Sequence, residues 1–235
     1  TVVQVVSLSL GLMALLLLTV VRGDLMSAWR TATPPDAPNR FIINIQPEQA
    51  PGVERQLVGA GVKNVFLYPM IRGRLTHING TQLTRNTYQN GDARRLAERE
   101  FNLSTVAGLP ETNEIVAGSW YRDAPGVAEA SVEQGLAKTL GLKLGDVMRF
   151  DMAGMPVEAK VTSLRKLEWG SMRANFFVII NPQAMANAPK SYMTAFHLPG
   201  SAGNLTNALT RTYPNLTVID VSGIIRQLQE VLDQL

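Results

Sequence analysis

The amino-acid sequence predicts an α+β fold in which a helix at each end flanks a folded domain. Three observations support this prediction: an uncharged apolar run at the N-terminus, a strand-helix-strand order near both ends of the middle region, and several short strands separated by tight turns. A chain of 235 residues is long enough for two small domains, so the middle region can hold more than one subdomain.

The composition excludes several classes of function. Lys and Arg number 22 against 19 Asp and Glu, which gives a net charge of only +3, and the sequence has no block of five or six Lys and Arg. We therefore expect no nucleic-acid partner. The chain has no cysteine, which excludes disulfides, thiolate zinc sites, Fe–S clusters and thiol nucleophiles. An extracytoplasmic domain without disulfides favours a bacterial periplasm.

The N-terminal segment, residues 1–33, is expected to be a transmembrane helix and stalk. Residues 2–21 contain no charged side chain. A helix of about 20 residues, rising about 1.5 Å per residue, spans about 30 Å, the thickness of the hydrocarbon core. A signal peptide and a buried core helix are the alternatives. The amphipathic stalk is expected to end before Pro34 and Pro35, which cannot continue a helix.

The C-terminal segment, residues 222–235, carries a second apolar stripe with three- and four-residue spacing. Asp220 or Ser222 can cap its N-terminus. We expect a C-terminal stalk helix that pairs in antiparallel fashion with the N-terminal stalk. The alternative is that each helix packs on its own domain.

Residues 39–71 have the order strand, helix, strand. Arg40–Ile45 is a short apolar strand, residues 47–59 are expected to form a helix with Pro near its start, and residues 62–70 a second strand. This order is a β-α-β unit.

Residues 190–221 repeat that order, with expected strands over residues 191–198 and 216–221 around a helix over residues 202–212. Two such units, remote in sequence, can share one sheet. They predict a ferredoxin-like β-α-β sandwich that is interrupted by an insertion.

The insertion, residues 72–189, is expected to be a β-rich subdomain. Helices are expected over residues 91–101 and 131–140, the second ending at Gly141 as its C-cap. Strands are expected over residues 115–119, 147–152, 157–164 and 175–180. Short strands with tight turns predict a small curved sheet or half-barrel.

The sequence offers no catalytic constellation. No serine has a glycine at both positions two residues away, and the two histidines, His77 and His197, lack the i, i+4 spacing of a zinc helix. No P-loop motif occurs either. We therefore expect no enzyme activity, no metal and no cofactor in this chain.

Several stretches, taken in order, resemble a known family. They are NRFIINIQP at 39–47, VFLYPMIRGRL at 65–75, AKTLGLKLGD at 137–146, and VTSLR at 161–165 followed by Trp169 and by NFF at 175–177. With a membrane helix ahead of them, they resemble the FtsX-like, MacB-type permeases of ABC transporters, and within these the YbbP group. The resemblance covers essentially the whole chain, although the remaining membrane helices of such a permease are absent from it.

The resemblance implies a transporter subunit that does no chemistry of its own. In such permeases a separate cytoplasmic ABC ATPase moves the membrane helices, and stalk helices carry the motion to a periplasmic domain. The implied location is the bacterial inner membrane with the main domain periplasmic. The implied partners are the ATPase subunit, the lipid bilayer, and a periplasmic partner or a lipid-like hydrophobic substrate.

Two groups of candidate site residues follow from the resemblance. Candidates for coupling along the stalks are Leu25, Trp29, Ile225, Leu228 and Leu232. Candidates for a partner surface are Arg165, Trp169 and Asn175. Ordinary helix packing is the alternative for the first group, and a structural role within the insertion is the alternative for the second. The second functional hypothesis is an extracytoplasmic sensor domain of a membrane receptor, which would show a ligand pocket within one compact domain.

Overall fold

The computed structural model describes residues 11–21, 23–24, 36–171, 173–200, 204–224 and 227. Residues 11–21, 23 and 24 are helical, and their side chains are exposed. Within the described ranges, no helix is both long and apolar enough to cross a membrane. The first ten residues of the expected span and most of the stalk, residues 25–33, lie outside those ranges, so the membrane helix stays a prediction.

The described part of the chain is mixed α+β. Helices α1 to α4 are Ala50–Gly59, Gly91–Glu98, Gln134–Leu140 and Leu205–Thr212. Strands β1 to β11 are Arg40–Ile45, Tyr68–Ile78, Thr81–Gln82, Glu100–Ser104, Asn113–Gly118, Glu129–Glu133, Val147–Met152, Met155–Leu167, Val178–Ile180, Ser191–Phe196 and Thr217–Asp220. Two 3-10 turns cover Trp169–Ser171 and Pro182–Met185.

The first and last parts of the domain share one antiparallel sheet with the strand order β11-β1-β10-β2. Helices α1 and α4 contribute Leu57 and Leu209 to a buried core that also contains Ile42 and Ile45 of β1. These two isoleucines are three residues apart, yet both are fully buried. An irregularity in the β1–β10 pairing, where Asn44 has a φ of 65°, allows both to face the core.

The middle of the chain closes into a ring of six strands, in the order β2-β4-β9-β6-β8-β7 and back to β2. Buried apolar side chains from these strands, among them Phe101, Met148 and Phe150, form one core with residues of α2 and α3. The sequence predicts only a curved sheet or half-barrel here. The ring closes because β7 pairs with β2 on one side and with β8 on the other.

Strand β2 belongs to both sheets. Its residues 68–70 pair with β10, whereas residues 71–74 pair with β4. The expected boundary between residues 71 and 72 lies next to this change of partner. We call the part on the β10 side, residues 39–71 and 190–221, the outer subdomain, and the ring with its helices, residues 72–189, the inserted subdomain.

The expected helix over residues 131–140 is wrong in its first part. The chain is a strand through Glu133, and every residue of that strand is buried between β8 and β9. Tertiary pairing therefore overrides the helical pattern. Glu133 then caps α3 by accepting hydrogen bonds from the backbone N–H groups of Gly135 and Leu136, both at 2.7 Å. Gly141 ends α3 in the left-handed conformation, as predicted.

Several further boundaries differ from the predictions, and two of them concern the strand shared by the two sheets and its neighbour. The strand expected over residues 62–70 begins only at Tyr68 and runs on to Ile78. The helix expected over residues 91–101 ends at Glu98 and is followed by β4. β2 begins at Tyr68 and continues to Ile78 because its pairing partners β10, β4 and β7 lie along those residues. Helix α2 ends at Glu98 because the residues that follow pair with β2 as β4. Neither set of pairings is visible in local sequence.

Candidate functional site

The five stalk residues that were candidates for coupling lie outside the described residues. They are Leu25, Trp29, Ile225, Leu228 and Leu232. Their role in coupling stays a prediction.

Arg165 is completely buried, which corrects its prediction as part of a partner surface. Its guanidinium donates hydrogen bonds to Ser131 Oγ at 2.9 Å, to the carbonyl oxygen of Phe176 at 2.9 Å and to Asn113 Oδ1. In the described part of the chain no carboxylate lies within ion-pair distance of it. Neutral oxygens therefore satisfy this buried cation, and they tie β8 to β6, to β5 and to the segment before β9.

Burial lowers the pKa of Arg165 from its ordinary value of 12.5 to about 10, while Tyr121 and Glu133 act in the opposite direction. The side chain is still cationic at neutral pH. A charge held in this way is costly to bury, and removing its partners or its charge leaves polar groups unpaired. Arg165 is thus part of the internal framework of the inserted subdomain.

Trp169 and Asn175 lie on the segment that Arg165 holds. The Trp169 side chain is 54% exposed, and its ring centroid is 5.3 Å from that of Phe177. Asn175 is half-buried, and its Oδ1 accepts a hydrogen bond from Asn113 Nδ2 at 3.3 Å. The accessible ring of Trp169 can contact a partner, but the partner-surface role of both residues stays a prediction.

The AKTLGLKLGD stretch ends in a turn that is bonded to a second turn. Asp146 accepts hydrogen bonds from the backbone N–H of Lys143 at 2.8 Å and from Asn79 Nδ2 at 2.9 Å. Asn79, at the β2–β3 turn, in turn accepts from the backbone N–H of Val147 at 2.8 Å. The Asn79-Gly80 pair is a recognisable turn signal in the sequence, but its bond to the turn at Asp146 is visible only in the structure.

A cleft of about 790 Å³ lies where the outer and inserted subdomains meet. One wall is residues 64–69, which include the start of β2, and the other is residues 105–112, which connect β4 to β5. A cavity of about 360 Å³ adjoins it and shares several lining residues: Asn64, Phe66, Tyr68 and Arg173. Clefts between subdomains are frequent binding sites, so this cleft is the candidate functional site.

The cleft combines an aromatic surface with an ion pair. Phe66 is 51% exposed, and its ring centroid is 4.5 Å from that of Tyr68. Arg173 NH1 lies 3.2 Å from Glu111 Oε2. Burial raises the pKa of Tyr68, while Arg173 lowers it and Glu111 raises it further. The phenol is therefore neutral at physiological pH and can donate a hydrogen bond.

Two aromatic side chains hold the second wall of the cleft in place. Trp120 Nε1 donates to the carbonyl oxygen of Ala107 at 2.9 Å, and the hydroxyl of Tyr121 donates to that of Val106. The two rings are stacked with centroids 4.2 Å apart. Burial raises the pKa of Tyr121, so its hydroxyl remains a donor. Residues 105–112 are therefore held against the rest of the inserted subdomain.

Sequence reasoning missed the cleft because its two walls come from segments that are remote in the chain. Phe66, in the run VFLYP, was the available signal, but that run was interpreted as part of a strand. A half-exposed aromatic residue can only be recognised as a site residue once the opposite wall is known.

The chain is 38% identical over 228 residues, 97% of its length, to the uncharacterized ABC transporter permease YbbP of Escherichia coli strain K12. It spans 27% of that protein's length. No family model matches the chain. A solved domain of a putative permease protein from Porphyromonas gingivalis aligns over 76% of this chain and 85% of that domain, at 11% identity and a TM-score of 0.34. The resemblance to a region of YbbP-type ABC transporter permeases, which the sequence motifs indicated, is therefore confirmed over almost the whole chain.

Proposed function

We propose that this chain is the periplasmic region of an ABC transporter permease of the FtsX-like and MacB-like kind. In this proposal it sits in the bacterial inner membrane and converts ATP hydrolysis in the cytoplasm into movement in the periplasm. The similarity to YbbP over 97% of the chain supports it.

We further infer that the outer subdomain is a ferredoxin-like, porter-type sandwich. Its elements follow the order β1, α1, β2, the insertion, β10, α4, β11. The antiparallel order β11-β1-β10-β2 and the shared core of α1 and α4 support this assignment.

The proposed coupling mechanism rests on the pairing of β1 with β11. The strand that follows the N-terminal segment, β1, is paired directly with the strand that precedes the C-terminal segment, β11. Arg40 and Asp220 are register partners, and the backbone N–H of Val221 donates to the carbonyl oxygen of Asn39 at 3.0 Å. The two points where this proposal attaches the stalk helices are therefore adjacent.

Adjacent attachment points suit a pair of stalks that moves as a unit. Two helices that leave the domain side by side can bring their apolar stripes together, and such a seam has a closed and an open arrangement. In this proposal the seam contains Leu25, Trp29, Ile225, Leu228 and Leu232. A separate cytoplasmic ATPase would bias the two arrangements, and the paired strands β1 and β11 would receive the motion.

The cleft is where the proposal places the substrate or a periplasmic partner. Its surface includes Val65, Phe66, Leu67, Val106 and Leu109, which suits a lipid-like or other hydrophobic compound. A sensor domain would bind its ligand within one compact domain. The cleft lies instead between two subdomains, where a relative movement would open or close it.

Cysteine cross-linking in membranes tests the proposal. Cysteines replace Leu25 and Leu228, and then the positions one turn away on each stalk, in the full-length permease with its ATPase; cysteines elsewhere in that longer protein are removed first. This region needs no such removal, because it has no cysteine of its own. We expect disulfide formation to change on addition of ATP.

A matched control uses Ile43 and Thr217, which are register partners in β1 and β11. Cysteines at these two positions are expected to cross-link to the same extent with and without ATP, since the sheet itself does not open. Stalk cross-linking that is absent in every register, or unaffected by ATP, would contradict the coupling mechanism.

A further inference from the structure

Positive charge is concentrated in one stretch of the chain away from the cleft. Residues 72–99 contain six arginines against one Asp and one Glu, a net charge of +4, whereas the whole chain carries +3. The rest of the chain is therefore slightly negative, and this stretch accounts for the basic character of the whole.

The folded chain gathers part of this charge in a groove of about 530 Å³ on the inserted subdomain. Arg74 comes from β2, Arg85 from the segment after β3, and Arg94 from α2. Neutral groups that can form hydrogen bonds also line the groove; they are Thr76, Gln82 and Thr84. We call it the arginine groove.

The carboxylates near the arginine groove do not neutralise it. Glu98, the acidic residue of its lining, pairs with Arg85 at 3.5 Å. Arg94 donates instead to the carbonyl oxygen of Tyr88 at 3.2 Å, and that bond leaves its charge uncompensated. Among the described residues, Arg85 is thus paired with a carboxylate, whereas Arg94 is bonded only to a neutral carbonyl oxygen.

Arg74, the third arginine of the groove, lies on β2 near two carboxylates. It lies in cross-strand register with Glu100 on β4 and Asp151 on β7. Within the part of the chain that the structure describes, its guanidinium nevertheless forms no ion pair. Two arginines of the groove, Arg74 and Arg94, are therefore available to an anion.

The charge continues beyond the groove along β2. Arg72 and Arg74 are exposed and alternate with the buried residues Ile71, Gly73 and Leu75, so both lie on the outer face of the strand. A ligand that fills the groove and follows β2 would meet Arg72 next.

From these contacts we infer that the arginine groove binds an acidic segment of a partner protein. Guanidinium groups bind carboxylates through paired, charge-assisted hydrogen bonds. The groups here come from separate elements and extend along a strand, which suits an extended chain with several carboxylates better than one compact phosphate. This inference is independent of the cleft and of the coupling mechanism.

The test is fluorescence anisotropy with a fluorescein-labelled hexaglutamate peptide and the whole 235-residue chain in nonionic detergent at low ionic strength. The double variant R74Q/R94Q is expected to bind about tenfold more weakly than the wild type, and salt is expected to weaken wild-type binding. The matched control is R55Q/R211Q, which removes two exposed arginines from α1 and α4 and should bind like the wild type. The single variant R74Q serves if the double variant does not fold.

Three outcomes would overturn the inference. Equal weakening by both double variants would mean non-specific attraction to a basic chain. Binding of hexaglutamine as tight as that of hexaglutamate would mean that carboxylates are not recognised. Displacement of the peptide by inorganic phosphate at the same concentration of charge would mean a small-anion site instead of a docking site.

Discussion

Arg40 and Asp220 form an ion pair, with 2.6 Å between NH1 and Oδ1, that joins the first strand of the domain to its last. Asp220 also accepts hydrogen bonds from the backbone N–H and the hydroxyl of Ser222, at 2.8 and 2.5 Å, where helical residues begin again. This pair therefore ties together the two points at which the stalks are expected to attach.

The Arg40–Asp220 pair can be measured with a double-mutant cycle of Arg40→Gln and Asp220→Asn. Because Asp220 is 53% exposed, we expect a coupling energy of only about 0.2–1 kcal/mol in urea unfolding. We also expect Asp220→Asn to lower ATP-dependent stalk cross-linking, because the pair joins the two points at which the stalks are expected to attach. Glu54→Gln, an exposed control on α1, should not lower it. If cross-linking is unchanged in Asp220→Asn, the Arg40–Asp220 pair plays no part in coupling between the stalks.

Replacement of Arg165 by Met should destabilise the protein by about 2–6 kcal/mol, because it leaves two buried acceptors, Asn113 Oδ1 and the carbonyl oxygen of Phe176, without this donor at about 1–3 kcal/mol each. Arg165→Lys should lie between this variant and the wild type, since an ammonium cannot reach all of these acceptors. Urea unfolding measures both. Lys166→Met, at the exposed neighbouring position, is the control and should cost little.

The interaction of Arg122 with Glu129 should make the free energy of unfolding depend on pH. Burial alone would raise the pKa of Glu129, but hydrogen bonds from the backbone and side chain of Arg122, and the charges of Arg122 and Lys160, hold it below its ordinary value of 4.5. A lowered carboxyl pKa adds stability above the unfolded-state pKa, and that stability is lost as the pH falls through the folded-state pKa. Arg122→Gln should therefore be less stable than the wild type near pH 7, and the difference should shrink in acid.

Urea unfolding at several pH values between about 7 and 3 checks this prediction, because this range includes the ordinary pKa of a glutamate carboxyl group. In a Glu129→Gln background, Arg122→Gln should have an effect that does not vary with pH over this interval. A difference between wild type and Arg122→Gln that is constant from neutral to acid pH would contradict it.

Gly118 should tolerate no side chain. It has a φ of +73°, and a Cβ built there would lie 2.1 Å from the carbonyl oxygen of Thr162. Gly126 has nearly the same φ, +74°, with nothing within 4 Å of a Cβ. Both alanine variants carry the backbone strain of about 1 kcal/mol, but only Gly118→Ala adds a backbone clash. Thermal unfolding should thus show a clearly lower melting temperature for Gly118→Ala than for Gly126→Ala.

Phe66→Ala should weaken binding of an apolar fluorescent dye while lowering stability by only about 1 kcal/mol, since the ring is half-exposed in the cleft. Dye titration and urea unfolding measure the two effects. Val58→Ala, a 58% exposed apolar position on α1 outside the lining of the cleft, is the control. Equal loss of dye binding in both variants would show that the dye does not report on the cleft.

Local signals in the sequence predicted local structure well. Arg40–Ile45 and Val147–Met152 are strands with the expected bounds, because alternating apolar residues and flanking turns are encoded within a few positions. The C-cap at Gly141 was predicted for the same reason. Errors arose where pairing between remote segments decides the element, as in the strand Glu129–Glu133, which has a helix-like sequence and is buried between two other strands.

The same distinction between local signals and remote contacts applies to the candidate site residues. Arg165, Trp169 and Asn175 were identified by a motif, yet the motif could not tell a buried residue from an exposed one. Burial depends on what covers a side chain, and Arg165 is covered by residues from β5, β6 and the segment before β9. The cleft and the arginine groove also draw their walls from segments far apart in the chain.

The sequence by itself determined the α+β class, the β-α-β order at both ends of the domain and the resemblance to ABC permeases, because these depend on periodicity, turn residues and the order of motifs. Only the tertiary structure decided the closed ring of six strands, the burial of Arg165, the cleft beside Phe66 and the adjacency of Arg40 and Asp220. Each of these requires contact between residues that are distant in the chain, and such contacts form only when the whole core is packed.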